Sequence, residues 1–137
     1  MGLSVLSGIL ETAPEFQRLV ASLGRSHGRT RVQVVADAAA FALASLWKNA
    51  EVPMLIIAPR PEDARRLFEQ MSIWSEEDGA VLHFPETETL PFERLVSDAD
   101  TTHQRLAALD RLASGEGPPP IVVASTSAIA QKTLDRA

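Results

Sequence analysis

The sequence predicts an α/β fold: a mostly parallel sheet with helices on both faces, three layers in all. Three observations carry this expectation. Short runs rich in valine and isoleucine recur at Arg31–Val35, Pro53–Ala58, Ala80–Phe84 and Ile121–Ser125. Stretches with helical periodicity or helix punctuation separate them. The run Pro53–Ala58 (PMLIIA) is apolar throughout, as a central parallel strand covered on both faces must be. Alternating strands and helices imply right-handed crossovers and one layered domain.

The elements follow in order. Leu3, Leu6 and Leu10 suggest a short first helix. Pro14 and Glu15 suit the first turn of a second, and Phe16, Leu19, Val20 and Leu23 give it an apolar stripe that stops at Gly24. The polar turn 24–30 leads to the strand 31–35. Asp37 is placed to cap the next helix, whose Phe41, Leu43, Leu46 and Trp47 nearly encircle it and predict burial. After the strand 53–58, Pro61, Glu62 and Asp63 open a helix with the stripe Ala64, Leu67, Phe68, Met71 and Trp74. Gly79 precedes the strand 80–84. Residues 85–100 form a long acidic irregular stretch containing Pro85, Pro91, Leu90 and Phe92. Thr101 and Gln104 have capping-box spacing, followed by the stripe Leu106, Leu109 and Leu112 and a stop at Gly115. Gly117 and Pro118–Pro120 make a rigid link into the strand 121–125, and a last helix starts at Ser125. The domain reading is residues 1–29 as N-terminal helices and 30–137 as the α/β unit, together one structural domain.

Composition narrows the functional classes. A chain of 137 residues, 45% hydrophobic, has enough apolar surface for one real core. With no cysteine, disulfides, thiolate catalysis and cysteine-type zinc sites are excluded. The first fifteen residues lack a basic signal-peptide start, and no apolar run is long enough to cross a membrane. The expected location is the cytoplasm. Net charge is −5, and the 13 basic residues are scattered rather than clustered. That composition favours a protein-facing surface over nucleic-acid binding.

The stretch Thr30–Trp47 carries the sharpest functional question. A strand, a tight loop and a helix N-terminus is the arrangement in which α/β proteins hold phosphate. Here the loop position is occupied by Ala36, Asp37, Ala38 and Ala39. It has no glycine to admit a phosphate to the backbone, no lysine to pair with one, and an added carboxylate that repels it. It reads as an ordinary N-cap. The other glycine-bearing stretch, Gly24–Thr30 (GRSHGRT), has its glycines one residue too close for a phosphate loop, with Arg29 in the lysine position. It also precedes the strand, so it cannot sit at that strand's C-terminal end.

Other constellations have ordinary readings beside the functional ones. Asp98, Asp100 and His103 have the residue types of a divalent-metal site, and equally those of a helix start. Glu86, Glu88 and Glu93 could pair as acid and base, but nothing in their stretch raises a carboxylate pKa. His27 and His83 stand alone. Ser125, Thr126 and Ser127 put hydroxyls at a strand's C-terminal end, suited to a phosphate or to helix capping, and both readings are open.

Four stretches in register carry a family resemblance. They are residues 43–59 (LASLWKNAEVPMLIIAP), the helix containing Ala64–Leu67, residues 83–93 (HFPETETLPFE) and residues 104–129 (QRLAALDRLASGEGPPPIVVASTSAI). Together they resemble the N-terminal domain of bacterial transcription-repair coupling factor, which is similar to the first part of the excinuclease component UvrB. The resemblance covers about residues 15–137. It implies a P-loop NTPase or RecA-like fold, present in part, with a degenerate nucleotide loop at Ala36–Ala39. It implies a longer parent protein whose other domains bind RNA polymerase, hydrolyse ATP with Mg and translocate on DNA. The module to which this stretch belongs would recruit the excinuclease component UvrA to stalled RNA polymerase, the main contact surface lying in the domain after Ala137.

The expectation is therefore a monomeric, non-catalytic scaffold fragment with no catalytic residue, cofactor or metal of its own and no membrane contact. Two alternatives stand beside it. One is a nucleotide-binding part of an ATP-dependent DNA helicase or of UvrB, through Arg29 and Thr30. The other is a free-standing Rossmann-like module that recognises a protein through the acidic residues 85–100.

Overall fold

The computed structural model of the chain describes residues 4–23, 28–87, 99–131 and 133. Its elements are α1 (Ser4–Glu11), α2 (Pro14–Leu23), a 3-10 turn (Ala36–Ala38), α3 (Ala39–Ala50), β1 (Met54–Ala58), α4 (Pro61–Ser75), β2 (Val81–Phe84), α5 (Ala99–Ser114), β3 (Ile121–Ser125) and α6 (Thr126–Ala130). The fold is α/β, and its sheet is parallel, with strand order β1-β3-β2.

The side-chain period of two sorts the strands into faces. Met54, Ile56 and Ala58 of β1, Val81 of β2 and Ile121 and Val123 of β3 join one core with Ala40, Ala44 and Trp47 of α3 and Ala64 and Met71 of α4. On the opposite face, Val122 and Ala124 of β3 and Phe84 of β2 pack with Ala108 of α5 and Ala128 of α6. Every residue of β3 is buried, and the register Met54↔Ile121 and Val81↔Ile121 pairs it on both edges.

Two sequence expectations about the sheet are corrected. Residues 31–35 do not form a strand, and Val35 is 74% exposed. Among the described residues, no strand lies alongside them, and an unpaired valine-rich run has no ladder to join. The run 53–58 is a strand, but an edge strand rather than a central one. Its outward residues Leu55 and Ile57 are 56% and 50% exposed, because α5 covers the β2–β3 half of that face and no described helix covers β1. The central strand is instead β3, whose run is equally apolar; hydropathy alone does not distinguish the two positions.

The helices repeat the sequence pattern with two adjustments. Helix α4 buries Ala64 and Met71 and half-buries Leu67, Phe68 and Trp74, the whole expected stripe. Helix α5 turns differently: Arg105 and Ala108 are its buried residues, whereas Leu106 and Leu112 are about half exposed. The inward set is Thr101, Gln104, Arg105, Ala108 and Leu109, at i, i+3, i+4, i+7 and i+8. The helix starts at Ala99, so Thr101 is not its cap, and Gln104 donates from Nε2 to Asp100 Oδ2 (2.7 Å). Helix α3 has one strongly buried face, Ala40, Ala44, Ser45 and Trp47, and leaves Phe41, Leu43 and Leu46 half-buried. The Trp47 indole N–H donates to the Pro119 carbonyl (2.8 Å), tying α3 to the proline link that feeds β3. In that link Gly117 has φ +77°, a left-handed conformation that strains any residue with a Cβ and favours glycine. Helices α1 and α2 both pack on α3.

The edge and centre assignments make opposite demands on one substitution. Val123→Thr should destabilise the chain by about 1–3 kcal/mol, because it buries a hydroxyl where no partner waits. Ile57→Thr should cost less than about 1 kcal/mol. Urea denaturation of both variants checks this, and equal losses would contradict the open edge.

Candidate functional site

The C-terminal ends of parallel strands are where α/β proteins place ligands. Here those ends deliver Pro59 after β1, Pro85, Glu86 and Thr87 after β2, and Ser125, Thr126 and Ser127 at the β3–α6 junction. The polar groups at this edge are spent on one another. Ser125 Oγ accepts from the Ala128 amide (3.1 Å), capping α6, and lies 2.9 Å from Ser127 Oγ. Ser127 Oγ donates to the Glu86 carboxylate, and Thr126 Oγ1 donates to the Pro59 carbonyl (2.9 Å). Thr87 donates through its amide (2.8 Å) and its hydroxyl (3.1 Å) to Gln131 Oε1, and Gln131 Nε2 donates back to the Thr87 carbonyl (3.1 Å). Of the two readings of Ser125–Ser127, the geometry realises the cap.

Arg105 closes this cluster, and its role was not legible beforehand. Its guanidinium is 4.0 Å from the centroid of the Phe84 ring and donates to the Pro85 carbonyl (2.7 Å). The residue is 8% exposed, and burial lowers its pKa from the ordinary arginine range without removing the charge. Carbonyl oxygen and an aromatic face are weak compensation for a cation, so Arg105 holds loop 85–87 in place rather than stabilising by pairing. The only sequence signal was its position three residues before Ala108 on the helix's buried side.

The other sequence candidates separate. His83 lies on the α4 side of the edge strand β2, its ring stacked on Phe68 with centroids 5.2 Å apart. With Gln104 Nε2 committed to Asp100, His83 Nδ1–H donates to Gln104 Oε1 (3.2 Å). Desolvation is the largest influence on its pKa, which falls below the ordinary 6.5 against the opposing pull of the Gln104 bond. Asp100 and His103 belong to no group that could hold a metal among the described residues, and Asp98, Glu88, Glu93 and His27 lie outside them. Glu86 is half-buried and engaged with Ser127. Of Gly24–Thr30, the described residues Gly28, Arg29 and Thr30 are exposed, outside any helix or strand.

The degenerate-loop position is the remaining candidate. Ala36–Ala38 form a 3-10 turn in which the Ala38 amide donates to the Val35 carbonyl (2.9 Å), and α3 begins at Ala39. Asp37 is exposed and does not cap: the N-cap is Ala38, with no side-chain cap hydrogen bond. The expected N-cap role of Asp37 is thus corrected. The 3-10 turn moves the helix start two residues beyond it and uses an amide that an anion would need. The head of α3 thus presents Ala38, Ala39 and the exposed Asp37 where a phosphate loop has glycines and a lysine.

No family model matches the chain. Two curated proteins are similar to it, the transcription-repair-coupling factors of Mycobacterium bovis and Mycobacterium tuberculosis. Each is 32% identical over 136 residues, 92% of this chain and 10% of the relative. The chain thus spans about a tenth of the length of the relatives it matches. No described helix is long and apolar enough to cross a membrane.

The lowered pKa of His83 sets a pH dependence. In the window around and below pH 6.5 the unfolded chain binds more protons at this residue than the folded one, so stability rises with pH. The stability difference between wild type and His83→Gln should therefore be larger near pH 7.5 than near pH 5.5, read from urea midpoints. A difference independent of pH would contradict the half-buried, neutral ring.

Proposed function

We propose that this chain is the N-terminal fragment of a transcription-coupled DNA repair factor, acting as a non-catalytic scaffold. It supports the module that recruits the excinuclease component UvrA to stalled RNA polymerase, while ATP, Mg and DNA are handled by other domains of the parent protein. The observation that carries this reading is the head of α3. A RecA-like part that still used nucleotide would need backbone amides and a lysine facing the phosphates, and Ala36–Ala39 present methyl groups, a 3-10 turn and a carboxylate instead. The likeness to the two mycobacterial coupling factors supports the same parentage. Among the described residues, the hydroxyls and carboxylate at the strand ends satisfy one another: Ser127 faces the Glu86 carboxylate and no imidazole joins the cluster, which favours the non-catalytic reading. Arg29 and Thr30 line the same hollow as Ala38 and Ala39, but the head of α3 there offers methyl groups in place of the glycines of a phosphate loop, which weighs against the nucleotide-binding alternative.

Titration of the chain with a fluorescent ATP analogue should give no saturable binding. A longer chain containing these residues and the following domain should co-purify with UvrA. Saturable micromolar binding displaced by unlabelled ATP would overturn the non-catalytic reading, and absence of co-purification would overturn the recruiting role.

A further inference from the structure

We draw no further inference here: the strongest candidate, the hollow between α1, Trp74 of α4 and the head of α3, where Asp37 stands beside Phe41, is open apolar surface on a chain that spans about a tenth of the length of its relatives, and nothing in the structure shows what covers it.

Discussion

Strand β3 is hydrogen-bonded along both edges and covered on both faces, and the position of each other major element follows from that. Ile121 and Val123 point into the core made with α3 and α4, while Val122 and Ala124 point toward α5 and α6. The strand is entered through a link held by the Trp47 indole and the Arg111 guanidinium, which donates to the Pro118 carbonyl at 3.0 Å. It is left through Ser125, which caps the next helix in the same step. Burying its four apolar side chains contributes on the order of several kcal/mol, comparable with the net stability of a whole small domain. Disturbing β3 therefore loosens both cores at once, whereas β1 and β2 each belong to one edge.

That arrangement also determines which polar groups meet at the strand ends. The strand ends converge on a rim of hydroxyls, a carboxylate and an amide, which in other α/β proteins would face a ligand. Here Ser127 and Glu86, and Thr87 and Gln131, form closed pairs, and Arg105 fastens the loop beneath them. The rim works as a seam that joins β2's exit to α6. The head of α3, the other site for an anion, is displaced by the 3-10 turn and carries Asp37 in front. Structure-building has taken over both positions, in keeping with the scaffold role proposed above.

Much of the fold was legible in the sequence because local pattern and tertiary packing agree there. The stripe of α4, the stop at Gly115 and the strand 121–125 all stand where periodicity and punctuation put them. The misreadings arise where hydropathy is ambiguous. Residues 31–35 have a strand's composition, but a strand exists only beside another, and that neighbour is a non-local fact. Leu55 and Ile57 are apolar without being covered, so an edge read as a centre. On α5 Leu106 and Leu112 lost the inward face to Arg105 and Ala108, because a guanidinium over Phe84 can be buried once it donates to the Pro85 carbonyl. That Ala36–Ala38 form a 3-10 turn, with Asp37 not capping α3, needed the backbone.

Strand β3 at the centre of the sheet and residues 31–35 outside it are the two facts on which everything else depends. Native-state hydrogen–deuterium exchange resolved to single amides tests both together. The amides of Val122–Ala124 should exchange only through global unfolding, with protection matching the stability measured in urea, while those of Arg31–Val34 should exchange near the free-peptide rate. Protection of Arg31–Val34 equal to that of β3 would place this segment in the sheet, restore a strand in front of Ala36–Ala39 and contradict the fold described here.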